Sequence, residues 1–248
     1  HPPPRYAPGV AESAVVSATA DISPSAHIAA NVSIGDRSTI GANAYVGPGT
    51  VIGPDCSVGD DCRLIANVIL VRDVILGLRS ILHPGVVIGA DGFGNAMTPE
   101  GWVKVPQLGG VRIGNDVEIG ANTTVDCGAI DDTVIEDGVR IDNLCHIGHN
   151  VRIGAHSAVA GMSGISGSAT IGKRCMLAGQ SGIVGHISIC DDVVVGGKAV
   201  ISKDITEPGV YAGTFTAEPA REWNRKVARF RRLGQLIERV NKLEKGGE

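Results

Sequence analysis

Aliphatic side chains recur at every sixth position over most of this chain. From Ile22 to Ile88 each sixth residue is Ile, Val or Leu, with no step missed. The series lapses over 89–112, returns at Ile113, Ile119 and Val125, slips by four residues, and then holds from Ile135 to Ile201. The residue after each aliphatic is often glycine, as at Gly35, Gly53, Gly120, Gly148 and Gly172. The fourth place after it is small or β-branched, as at Ser38, Ala44, Thr50, Val117, Thr123, Val151, Ser157, Ala169 and Ser181.

A strict period of six fits neither an amphipathic helix nor an alternating strand. It fits a coil with three flat faces, one hexapeptide per face and 18 residues per turn. The aliphatic points inward, and the glycine is expected to free the corner where φ turns positive. Successive coils stack as parallel strands about 4.8 Å apart. The predicted fold class is therefore an all-β solenoid, a parallel β-helix.

The ends break the pattern. Residues 1–20 are rich in Pro and Ala and read as a linker with an irregular first coil, so the solenoid is predicted over 21–210 with an insertion loop at 89–112. Residues 211–248 read as a helical extension. Thr216 is the expected N-cap, with Glu218 and Pro219 in the first turn. Trp223, Val227, Phe230, Ile237 and Val240 recur at helical spacing as a stripe for packing on the solenoid or a sister chain, and Gly234 is placed to divide the helix.

Composition agrees with thin, regular layers: 43% of residues are hydrophobic but only 3% aromatic. The net charge of -4 gives no reason to expect nucleic acid as a partner. No apolar run reaches the length of a transmembrane segment, and no signal peptide is visible. The chain begins at His1 rather than Met and reads as a fragment or a processed product. None of its six cysteines shows zinc-type spacing, and Cys56, Cys62, Cys145 and Cys175 fall in the small inward slot, as buried core residues would.

Against so regular a scaffold the exceptions carry the chemistry. The insertion "GADGFGNAMTPEGWVKVPQLGGVR" brings Phe93 and Trp102, and no helix follows its G-x-G, so it is not a dinucleotide loop. An insertion from one corner of a solenoid reads as a substrate-facing loop. His149 stands two places after the inward Ile147, and His186 three places after Ile183. Their separation, 186 − 149 = 37 residues, is two coils plus one position, which sets them on one edge about 10 Å apart. One coil beyond His149 is Gly167, whose backbone N–H is a candidate oxyanion donor. A histidine beside an open groove suits general base catalysis, the alternative being a set of plain surface histidines like His27, His83 and His156.

The segments "GADGFG", "GWVKVPQLGGVRIGNDVEIGANTTVDCGAIDDT", "IDNLCHIGHNVRIG", "GHISICDDVVVGG" and "ITEPGVYAG" strongly resemble the UDP-3-O-acylglucosamine N-acyltransferases of lipid A synthesis, over about residues 20–245. The sister UDP-N-acetylglucosamine O-acyltransferases share the solenoid and a similar H-x-x-H, but not the insertion in this form. The resemblance implies a left-handed coil and a cytoplasmic homotrimer with active sites between neighbouring chains. It implies transfer of an (R)-3-hydroxyacyl group from acyl carrier protein to the 2-amine of a UDP-sugar lipid, UDP-3-O-acylglucosamine. It also implies that no cofactor is bound and that the carrier's phosphopantetheine arm enters with the donor.

By the same resemblance His149 is the general base, Gly167 the oxyanion donor and His186 a supporting histidine. Asp142, Asn143, His146 and Asn150 fall in the segment that orients the base and the phosphopantetheine arm, and Val200 lies where acyl length is limited. The basic C-terminal segment, with Arg221, Arg225, Arg229 and Arg232, is where the acidic carrier protein is expected to dock. Three departures stand out: the sequence, beginning at His1, is expected to be without the family's uridine-gripping domain, Cys127 replaces a usual arginine, and His146 a frequent glutamine. Two other readings remain at this stage. One is a non-catalytic trimeric scaffold. The other is a zinc hydratase like the γ-class carbonic anhydrases, with His146, His149 and His186 as ligands.

Overall fold

The computed structural model describes residues 6–245, so residues 1–5 of the expected linker and 246–248 of the helical extension lie outside the described residues. The chain divides into two units, one ending at Gly213 and the other beginning at Thr214.

The first unit is a parallel β-helix whose three faces are sheets of 11, 10 and 9 strands. Partner residues on adjacent coils are usually 18 apart, as in Gly164↔Gly182 and Ile165↔Ile183. The coil starts earlier than the sequence pattern shows: Gly9 already pairs with His27, and Val15 with Ser33. It closes with Val193–Val195 against Gly209–Tyr211.

The period-six aliphatics form the core, Leu64, Leu70, Leu82, Ile88, Ile147 and Ile165 being fully buried. Each such burial is worth about 1.5–3 kcal/mol. The small slot is a second inward position. Its hydroxyls tie coils together: Ser38 Oγ donates to the Gly53 carbonyl (2.7 Å) and accepts from the Cys56 N–H (3.0 Å), and Ser157 does the same for Gly172 (2.8 Å) and Cys175 (3.0 Å). The four cysteines of this slot are buried free thiols, as is Cys127.

The corner glycines serve another purpose than expected. The left-handed turn falls two residues later, three places after each aliphatic, on Arg37, Asn43, Asp55, Asn150 and His186 among others, with φ of 55–61°. A coil-to-coil hydrogen bond fixes such a residue; the Asp55 N–H donates to the Asp36 carbonyl at 2.9 Å. The glycine is required by close approach: a Cβ on Gly53 would lie 1.8 Å from the Val71 carbonyl oxygen.

Two irregularities interrupt the stack. The insertion is no open loop. Asn95–Thr98 and Gly101–Lys104 form an antiparallel hairpin, with Phe93 and Trp102 exposed. The coils on either side still pair across it, Ile81 with Glu118, a step of 118 − 81 = 37 residues. The four-residue slip lengthens the next coil to 140 − 118 = 22 residues between Glu118 and Arg140.

The second unit holds two helices, α1 (Ala220–Arg231) and α2 (Leu233–Lys245), with no buried residue in either. The expected Thr216 cap is not used. The helix starts after Pro219, the N-cap residue, because a proline holds the residue before it, here Glu218, away from helical geometry. The break also comes early. The Arg232 N–H closes a tight turn onto the Arg229 carbonyl (3.0 Å), and Gly234 lies inside α2.

Candidate active site

Both irregularities converge on His149. The slip supplies one support. In the lengthened coil the Ala129 N–H donates to Asn150 Oδ1 (2.9 Å), and Asn150 Nδ2 donates to the Asp131 carbonyl (2.8 Å). Those two bonds leave the Asn150 amide one orientation. Its Oδ1 lies 3.0 Å from His149 Nδ1, so Nδ1 must carry the proton and donate it there. In the neutral ring Nε2 then holds the free lone pair, as a general base requires.

The insertion supplies the other support. A Cβ on Gly92 would lie 2.7 Å from His149 Cβ and 3.0 Å from its Cδ2, so the turn of the insertion rests on the histidine. Beneath that turn is the buried Gln107, whose Nε2 donates to the Val105 carbonyl at 3.2 Å. Arg72 reaches the Gln107 carbonyl and comes within 3.9 Å of Asp91, which also pairs with Lys104 of the hairpin. The hairpin is thereby tied to the coil that carries Arg72.

On the other side is Gly167. A Cβ there would lie 2.5 Å from His149 Nε2, so only glycine leaves room for the ring. The Gly167 N–H makes no hydrogen bond among the described residues, and its carbonyl accepts from the His186 N–H at 3.1 Å. His186 is thus one coil beyond Gly167 with its side chain exposed, and it fixes the peptide through its backbone.

The other expected site residues divide. His146 sits on the second face with Nδ1 3.0 Å from Thr124 Oγ1. Further along the same outward ladder come Gly164, Gly182 and Val200. The two glycines leave a trough of bare backbone between His146 and Val200, three rungs or about 14 Å long. Asp142 and Asn143 are at a different corner from His149. Their oxygens bind backbone, Asp142 Oδ2 accepting from the Gly161 N–H (3.0 Å) and Asn143 Oδ1 from the Ala121 N–H (2.6 Å). Arg221, Arg225 and Arg229 follow one stripe of α1, all exposed like Arg232.

Sequence reasoning missed Asp91, Gly92, Gln107 and above all Asp126. Opposite a β-bulge at Gly89, where Ile88 pairs with Val125 and Ala90 with Asp126, Asp126 lines a cleft of about 410 Å³ together with Asp91, Phe93, Asn95, Lys104 and His146. Burial pushes its carboxyl above the usual carboxylate range, against the opposing pull of His146 and His149. Among the described residues no three His, Cys, Asp or Glu side chains converge as metal ligands, so one chain does not assemble the three-histidine zinc site.

Comparison with known proteins fits this geometry. The family model "Bacterial transferase hexapeptide (six repeats)" matches residues 38–70 and 132–167, and "Hexapeptide repeat of succinyl-transferase" matches 168–203. A UDP-3-O-acylglucosamine N-acyltransferase of Hahella chejuensis is 49% identical over 174 residues, 70% of this chain and 50% of that protein. One from Acidovorax sp. is 57% identical over 164 residues, 66% of this chain and 50% of that protein. The chain thus spans about half the length of the curated relatives it matches. The solved UDP-N-acetylglucosamine acyltransferase of Francisella novicida shares the fold with a TM-score of 0.63 at 20% identity, over 83% of this chain and 67% of that one. The solenoid carries hexapeptide repeats and is similar to about half of each of these two UDP-3-O-acylglucosamine N-acyltransferases.

Proposed function

We propose that this chain is an N-acyltransferase that moves an (R)-3-hydroxyacyl group from acyl carrier protein to the 2-amine of UDP-3-O-acylglucosamine. One observation carries the reading: a histidine whose Nδ1 is committed to Asn150 and whose Nε2 faces a glycine with a free N–H. That pairing has the parts of acyl transfer, a base for the nucleophile and a donor for the oxyanion. The names of the relatives give the substrate class.

In this scheme the amine attacks the thioester carbonyl, and the C–N bond forms as His149 Nε2 takes one amine proton. The Gly167 N–H holds the oxyanion. When the C–S bond breaks, the imidazolium returns the proton to the sulfur, and the carrier leaves as a thiol. His186 keeps the Gly167 peptide in place. The acyl chain lies along the trough and ends at Val200. His146 lines the donor's path, while Asp142 and Asn143 hold the coil that frames it. The carrier protein docks on the stripe of Arg221, Arg225, Arg229 and Arg232, whose charge suits an acidic partner. Three chains assemble, and the work is cytoplasmic. Among the described residues no helix is long and apolar enough to cross a membrane.

The test is acyl transfer from 3-hydroxyacyl carrier protein at saturating acceptor, comparing the chain with His149→Ala. A loss of about a hundredfold or more is expected, in the range of a general base. Equal rates remove His149 from that role, and no transfer by the parent overturns the reading.

A further inference from the structure

One side chain of the cleft has no task in this scheme. Asp126 is 7% exposed, and its carboxylate makes no hydrogen bond among the described residues. The nearest basic side chain is His146, whose Nε2 lies 3.7 Å from Oδ2, beyond hydrogen-bond reach. Other aspartates of the solenoid behave differently. Asp60, Asp137, Asp142 and Asp191 each accept a backbone N–H from a neighbouring coil. A largely buried carboxylate that meets no protein donor and opens only onto a cleft is retained where something in that cleft supplies one. Lys104 is not that donor, since it pairs with Asp91.

We propose that Asp126 receives the acceptor's amino group and makes the site selective for an amine over a hydroxyl nucleophile. This rests on the acyl-transfer reading above. A primary amine brings two N–H bonds. One proton goes to His149 Nε2 as the C–N bond forms and is returned to the leaving sulfur. The other N–H donates to the Asp126 carboxylate, which neither gains nor loses a proton and turns the nitrogen lone pair toward the thioester carbon. A hydroxyl brings only one O–H. Once that hydrogen is directed to the base, the buried carboxylate stays unpaired, so a hydroxyl acceptor is disfavoured.

The experiment needs no turnover. Calorimetry measures binding of UDP-3-O-acylglucosamine and of UDP-3-O-acylglucose, its 2-hydroxy counterpart, to the parent chain, Asp126→Asn and Asp126→Leu. The parent is expected to favour the amine about tenfold or more, as suits a charge-assisted hydrogen bond. The preference shrinks in Asp126→Asn, which keeps an acceptor without the charge, and vanishes in Asp126→Leu. The melting temperature of Asp126→Asn stays at or above the parent's, whereas a carboxylate with a structural role would lower it on removal. No preference in the parent, or one that survives Asp126→Leu, overturns the assignment. If transfer persists in the parent while the preference is absent, Asp126 loses its role and the acyltransferase reading stands. If the parent neither binds acceptor nor transfers acyl groups, both fall.

Discussion

The second face of the solenoid changes character along its length. On the early coils its outward ladder runs Val15, Ser33, Val51, Ile69 and Val87, mostly β-branched and ordinary for strands. On the late coils the same ladder reads Thr124, His146, Gly164, Gly182 and Val200. Inward, the two halves are alike: Ile52, Leu70 and Ile88 are as buried as Ile147, Ile165 and Ile183. The fold constrains what points in and leaves free what points out. Two consecutive glycine rungs on a strand face weaken the strand and give the core nothing. Their value lies in the surface they expose, beside the one histidine on which both irregularities of the coil converge.

The largest test of this contrast sets two glycines of the same corner against each other. Gly53 is barred from a side chain by the backbone oxygen of Val71, a rigid neighbour. Gly167 is barred by the His149 ring, a movable one. Gly53→Ala is expected to cost about 1–3 kcal/mol in chemical denaturation, as overpacking does. Gly167→Ala is expected to fold with near-parental stability and to lose on the order of a hundredfold in acyl transfer, as the ring is pushed out of line. If Gly167→Ala destabilises as much as Gly53→Ala and keeps its rate, the late corner is scaffold like the early one.

Much of this was legible in the sequence, and the part that was not has a physical reason. The inward ladder repeats, so Ile, Val and Leu at every sixth place announce the coil and the small slot beside it. Gly167 and His149 could be placed together because their spacing is one coil. The resemblance put Asn150 in the segment that orients the base, but spacing alone could not show how it clamps, because its contacts are with Ala129 and Asp131 in the lengthened coil, where the four-residue slip erases the register. Asp126 was hidden for a similar reason: a bulge, not the repeat, decides where it points. The corner glycines misled because a missing Cβ serves both positive φ and close approach, and only coordinates tell the two apart. Asp142 and Asn143 are near the base in sequence but a face away in space, since each coil turns a corner every six residues.

A smaller effect is expected from neutralising Asp126, and its sign separates function from framework. The folded-state pKa of this carboxyl is raised, so the folded chain prefers it protonated. Its charged form therefore costs stability at neutral pH, and the cost fades as pH falls through the raised pKa. His146 and His149 face the carboxylate and pull against that rise, while Asp91 adds to it. Asp126→Asn should melt about 2–4 °C above the parent near pH 7, a gain on the order of 1 kcal/mol for removing an unpaired buried charge. The difference should narrow by roughly pH 4.5, toward the ordinary carboxylate range. A variant that melts lower at neutral pH would make Asp126 part of the frame.

The smallest effect is expected at the far end of the late coils, in the thiols. Cys56 and Cys62 are in the early core, where burial pushes both thiols up to about 11, and only the thiolate is nucleophilic. Cys127, Cys145 and Cys175 are also buried, and burial raises them as well. Cys190 alone is half-buried, near the closing end of the solenoid. A disulfide reagent at pH near 8 should therefore label one thiol of the native chain quickly, and peptide mapping should place the label at Cys190. The other five should react only in denaturant, at a rate in mild conditions set by opening of the coils. Early labelling of Cys145 or Cys175 with Cys56 and Cys62 still closed would mean that the late coils open first, and that the half of the solenoid given over to chemistry is also its less stable half.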